Sequence, residues 1–150
     1  MNNDQLRELI TETLQEIDLY SEKAVRLLMG TAAQESHLGE YIHQINGPAL
    51  GIMQMEPATF KDHVRWLSKR EDDLIYKIMS SANIQTWSVN DLKWNLKLSI
   101  AMARVHYLRK PDRLPTTIEE MAAYYKKFYN TYLGAATEEE FINNYNTYVL

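Results

Sequence analysis

The chain has 150 residues, 45% of them hydrophobic, so it is long enough to bury one sizeable core, and the expectation is one domain over residues 1–150. Its formal charge is −4, with acidic and basic residues mixed along the length, which leaves no broad basic surface to neutralise phosphates and argues against nucleic acid as a partner. There is no cysteine, which removes disulfides, thiolate metal sites and a cysteine nucleophile together.

The start, Met1-Asn2-Asn3-Asp4, lacks the basic then apolar pattern of a secretory signal. No stretch approaches the roughly 18–20 apolar residues of a membrane-spanning helix, so the expectation is a soluble protein without membrane insertion. Leu6, Leu9, Ile10, Leu14 and Ile17 recur at helical spacing, and Ser21 offers an N-cap for a second helix carrying Ala24, Val25, Leu27, Leu28 and Ala32 to about Glu35. That places a carboxylate at the negative end of a helix dipole, which favours its protonated form. Residues 37–55 hold Gly39, Asn46, Gly47, Pro48 and Gly51 among apolar residues, the composition of a short irregular hairpin or structured loop.

Pro57 suits the first turn of a new helix with Glu56 at or beside its cap. Helices are expected over about 57–69 and 71–82. A longer one is expected from Ser88 to about Arg109, where Ser88 and Asp91 stand near capping-box spacing, and Lys110-Pro111-Asp112 stops it. Thr117 with Glu120 and Thr137 with Glu140 open two more, about 117–130 and 137–148, with Gly134 in the turn between. The chain reads as mostly α.

Glu35-Ser36, a turn-rich interval, and then Gly51-Ile52-Met53-Gln54-Met55-Glu56-Pro57-Ala58-Thr59 resemble the lytic transglycosylase (SLT-type) family of the lysozyme-like superfamily. The family pattern is Glu-Ser at a helix end, then Gly-Leu-Met-Gln, an apolar residue, any residue, and Pro-x-Thr. Asn95-Leu96-Lys97-Leu98 with Tyr107-Leu108 is similar to a later family helix, with Ser99 where the family has glycine. Met121-Ala122-Ala123-Tyr124 is similar to the family's Ala-Ala-Tyr-Asn-Ala-Gly, with Tyr125-Lys126-Lys127 replacing its second half. The resemblance spans roughly residues 20–130, and the chain's ending resembles small phage-encoded members of the superfamily.

The resemblance implies a mainly α (α+β) lysozyme-like fold with a small β-hairpin or loop beside a cleft. It also implies cleavage of the MurNAc–GlcNAc β-1,4 bond of peptidoglycan with Glu35 as sole catalytic acid and base. Protonating the leaving oxygen at neutral pH requires a carboxyl of raised pKa, which burial supplies. By the same resemblance Gln54 hydrogen-bonds the glycan, Ser36 fixes the region around Glu35, and Tyr124 sets its hydroxyl near the Glu35 carboxyl. Ile52, Met53 and Tyr124 form an apolar wall, and Gly51 lets backbone and sugar approach closely. The product implied is a 1,6-anhydro sugar formed without water. Peptidoglycan strands are the expected partner, and virion or lysis-machinery proteins are the implied means of reaching the wall from the cytoplasm.

Glu56 stands where the family has an apolar residue, so it is either a helix cap or an extra cleft carboxylate, and Glu40 is the other candidate second acid. Either would make the chain a hydrolytic muramidase that directs water. The altered block after Tyr124 suits a third reading, a non-catalytic peptidoglycan-binding virion or structural protein. Met53 is open between core and cleft. His37, His43, His63 and His106 lack a third ligand at recognised zinc spacing, so no metal and no cofactor is expected.

Overall fold

A computed structural model describes residues 1–130 and 134–150. Among them are seven α-helices: α1 (Asn3–Glu16), α2 (Glu22–Ser36), α3 (Pro57–Ser68), α4 (Leu74–Ala82), α5 (Leu96–Leu108), α6 (Ile118–Tyr125) and α7 (Glu138–Tyr148). A 3-10 turn occupies Val89–Lys93 and a π-helical segment Lys126–Asn130. The mainly α expectation is met. Of the hairpin or structured loop expected between α2 and α3, the chain forms the loop, with two isolated antiparallel bridges, His43 with Leu50 and Leu50 with Met55.

Helices α2 and α5 are the inner pair. Val25, Leu28, Met29, Ala32 and Ala33 on the first, and Leu98, Ile100, Ala101, Met102 and Val105 on the second, are fully buried. Helices apolar on most of their circumference must be covered on most sides. Helix α1 turns Leu6, Ile10 and Leu14 inward to cover them, and α7 packs on α2 through Phe141 and Tyr145. That last contact is close enough that a Cβ on Gly30 would lie 2.5 Å from the Phe141 ring. The described helices share one hydrophobic core.

Several helix starts follow local rules. The side chains of Ser21, Thr117 and Thr137 accept from the amides of Ala24, Glu120 and Glu140, each at 3.1 Å. Helix α4 begins at Leu74 rather than 71, because the Asp72 carboxylate, paired with Arg70, takes the Leu74 amide.

The expected helix from Ser88 to Arg109 is broken. Ser88 makes no side-chain cap, and a 3-10 turn precedes a fresh start at Leu96. Asn95 causes the break: its Oδ1 accepts from Leu98 N at 3.0 Å while its Nδ2 donates to Ala82 O at 2.8 Å, tying the new helix start to the end of α4. A capping asparagine with an extended backbone cannot continue a helix through itself. Replacing Asn95 removes both bonds, so Asn95→Ala should cost about 1–2 kcal/mol in urea unfolding. Asn95→Asp, which keeps the acceptor and loses the donor, should fall between it and wild type.

Candidate active site

The site forms where α2 ends. His37, Leu38 and Gly39 all have positive φ (50°, 57° and 87°), so the chain turns sharply away after Ser36. The Ser36 hydroxyl, fully buried, holds that turn. It accepts from Gly39 N at 2.8 Å and donates to Ile52 O at 2.6 Å, with Ala32 O at 3.1 Å beside it. One hydroxyl thus joins the end of α2 to the Gly51–Gln54 segment, whose Gln54 lies nineteen residues beyond Glu35.

That segment is a tight turn closed by paired hydrogen bonds between Leu50 and Met55, with Gln54 N donating to Gly51 O at 3.0 Å. Gly51 has φ +81°, and a Cβ there would sit 1.9 Å from the Leu92 carbonyl oxygen. Its missing side chain therefore allows close packing on the Leu92 backbone. Ser99, the residue in the family's glycine position, donates to the same carbonyl at 2.8 Å. Met53 is fully buried and its side chain belongs to the hydrophobic core. Its carbonyl faces the site and accepts from Tyr129 Oη at 2.6 Å.

Glu35 opens on a groove of about 530 Å³, bordered also by Gln44, Gln54, Glu56, Thr59 and Tyr129. Burial pushes its pKa up from the ordinary 4.5 to about 7, opposed by a hydrogen bond from Tyr125 Oη to Oε1 at 2.6 Å. Three phenols stand around this carboxyl. Tyr107, Tyr125 and Tyr129 are all pushed up by burial first and by the Glu35 charge as well, so they remain neutral donors at any physiological pH. No lysine or arginine pairs with Glu35 among the described residues, so nothing cationic draws its pKa down.

The structure brings Glu35, Gln54 and Glu56 of the sequence-expected site to one groove. Gln54 has φ +48°, and its Nε2 donates to Gly51 O at 2.9 Å, which braces the amide over the turn. Glu56 is exposed, holds the N-cap position of α3 and makes no side-chain cap bond. Glu40 is exposed beside His37 at 3.4 Å and does not border the groove.

Tyr124 is a correction: its hydroxyl donates to Asp112 O at 3.2 Å, on another face, and the neighbour Tyr125 reaches Glu35. Consecutive helical residues point about 100° apart, so an error of one position in matching the Ala-Ala-Tyr block selects the wrong phenol. Tyr129, Thr59, Gln44 and His106 were also not legible as groove residues. Each belongs to an element whose facing is set by tertiary contacts, and only the aromatic spacing Tyr125-x-x-x-Tyr129 hinted at a shared helical face.

A family model described as "Transglycosylase SLT domain" matches residues 12–108. No curated protein and no solved structure matches the chain. The matched span holds Glu35, Ser36 and the Gly51–Gln54 turn, whereas Tyr125 and Tyr129 lie beyond it.

The raised Glu35 pKa makes stability depend on pH in a definite sense. Between about 4.5 and 7 the folded chain holds a proton that the unfolded chain has lost, so this contribution is complete below 4.5 and disappears as pH rises through 7. Glu35→Gln, which is always neutral, should remove that slope and stabilise the fold above pH 8 by up to about 3 kcal/mol, with little change at pH 4. Urea titrations at the two pH values measure it.

Proposed function

The chain belongs to the transglycosylase SLT family, whose substrate is peptidoglycan, and from that premise we propose that it cleaves the MurNAc–GlcNAc β-1,4 bond with Glu35 as its single acid and base. The observation that carries the reading is the Glu35 carboxyl, raised to about 7 by burial, facing a groove beside Gln54. A carboxyl poised there is protonated often enough to act as an acid at neutral pH, and its conjugate base is strong enough to take a proton back.

In the first step Glu35 gives its proton to the glycosidic oxygen. The C1–O bond breaks, GlcNAc leaves with a free 4-hydroxyl, and positive charge develops at C1 of MurNAc. The substrate's own N-acetyl oxygen supports that centre. In the second step the Glu35 carboxylate removes the O6 proton, O6 bonds to C1, and a 1,6-anhydro end results with Glu35 protonated again. The ring of neutral phenols suits this cycle, because Tyr125 donates to the carboxylate form without the large pKa depression that a cation would impose. Gln54 is assigned to the glycan, and Ser36 to holding α2 against the Gln54 turn. The shared core supports reading residues 1–150 as one catalytic unit, and virion or lysis-machinery proteins are the partners proposed to bring it to the wall.

A hydrolytic outcome has one observation in its favour: Glu56 borders the same groove and is free of a capping role. Mass spectrometry of digested sacculi separates the two, since anhydro ends lack one water relative to reducing ends. Anhydro products are expected, and reducing ends alone would replace the transglycosylase assignment with a muramidase using Glu56. Glu35→Gln should lower the rate at least about 10²-fold. If wild type and Glu35→Gln both leave turbidity unchanged while the protein pellets with sacculi, the groove binds glycan without cutting it.

Activity should fall as pH rises through about 7, where the acid loses its proton. Because the Tyr125 hydrogen bond lowers the Glu35 pKa, Tyr125→Phe should move that alkaline limb to higher pH, as read from kcat/KM profiles.

A further inference from the structure

Two imidazoles have no place in that mechanism: His106 on α5, which borders the groove, and His63 on α3 beside it. His63 Nε2 and His106 Nδ1 are 2.9 Å apart, Arg109 meets His63 Nδ1 at 3.0 Å, and His106 Nε2 meets Phe128 O at 2.6 Å. The two ends of this row fix its polarity. A guanidinium only donates, so His63 Nδ1 must accept and its proton sits on Nε2. That proton goes to His106 Nδ1, leaving the His106 proton on Nε2 to be given to the Phe128 carbonyl, which only accepts. The row therefore runs in one direction, Arg109 to His63 to His106 to Phe128 O, with both rings neutral and each in the Nε2–H tautomer.

The terminus of the row is informative. Phe128 lies in the π-helical segment Lys126–Asn130, between the phenol that reaches Glu35 and the phenol that reaches Met53 O. Phe128 and Tyr129 of that segment are only partly buried and pack against the core from its edge. The His106 ring also stands edge-on to Tyr129 at 4.8 Å, and Tyr129 stacks on Tyr125 at 5.8 Å. We infer that His63 and His106 are positioning residues: their directed hydrogen-bond row from Arg109 pins the Phe128 carbonyl, and through the π-helical segment keeps the Tyr125 hydroxyl on Glu35. The inference rests on Glu35 being the acid only for its effect on rate, since the placement of Tyr125 is a property of the folded chain.

The surroundings favour the neutral rings. Burial holds His63 at about 3 and His106 at about 4; the His106 ring, Arg109 and Lys110 push His63 further down against Asp62, and at His106 the Phe128 hydrogen bond opposes burial, Lys110 and Arg109. Tyr107 and Tyr129, the phenols packed on His106, are themselves uncharged.

Nitrogen-15 NMR of the histidine-labelled wild type at pH 5.5 tests the row, and carbon-13 NMR titration of the Glu35 carboxyl tests its effect. The expected spectrum has both imidazoles neutral and protonated on Nε2. A charged ring or an Nδ1–H tautomer at either position overturns the inference. His106→Leu should raise the Glu35 titration midpoint toward that of Tyr125→Phe, and the double variant should show no further rise. His106→Gln, whose amide retains a donor for Phe128 O, should return toward wild type. A midpoint unmoved in His106→Leu, or one that moves equally in His106→Gln, overturns the inference, and so does a midpoint unmoved in Tyr125→Phe. Should these titrations behave as expected while Glu35→Gln still cuts sacculi, the catalytic reading falls and the positioning role stands.

Discussion

A carboxyl group withdrawn from water without a cation to meet it prefers to keep its proton, and this constraint at Glu35 organises the molecule. The group cannot be left wholly unsatisfied either, since a buried oxygen without a donor costs about 1–3 kcal/mol. The chain resolves the conflict with a phenol, a donor too weakly acidic to give up its own proton and too uncharged to strip the carboxyl of its proton. Tyr107 and Tyr129 extend the same solution outward, one bonded to Thr31 on α2 and the other to the backbone of Met53. Cations are kept to the periphery, in ion pairs such as Lys97 with Glu16 and Arg109 with Asp62.

Placement of the carboxyl depends on a second economy of groups. The Ser36 hydroxyl closes three backbone relations at once, with Ala32, Gly39 and Ile52, and in doing so converts the last turn of α2 into a fixed mount for the residue before it. The turn opposite is held by backbone packing of Gly51 on Leu92, with Ser99 donating to the same carbonyl. The groove is thus built where two short irregular segments are each fastened by buried polar contacts to a helix of the core. A site supported this way can be exposed to solvent on one side and rigid on the other.

What the sequence revealed divides along physical lines. Helix starts at Ser21, Thr117 and Thr137 were readable because a cap is decided within three residues. The Glu35–Gln54 pairing was readable because a motif with fixed spacing encoded it. The break at Asn95 was not, since its second bond goes to Ala82, thirteen residues back, and no local pattern announces that partner. Tyr124 was chosen over Tyr125 because a helix rotates by about 100° for each residue, so being adjacent in sequence is not being adjacent in space. The His63–His106 contact joins residues 43 apart and was equally invisible. The Asn95 break and the histidine contact depend on partners distant in sequence, and the Tyr124 choice on a rotation that a sequence match does not display.

The close seat of α7 on Gly30 has a further meaning for where this protein's essential parts begin and end. Phe141 presses directly on the backbone of the helix that bears Glu35, Asn144 donates to Gln34 at 2.7 Å, and the phenol that serves Glu35 comes from the residue just before the π-helical segment. All three lie past residue 108, where the family match stops. Trimming the chain to its recognisable portion would strip a ring from the back of α2 and the hydrogen-bonding phenol from its front, leaving the signature intact and the Glu35 carboxyl without its setting.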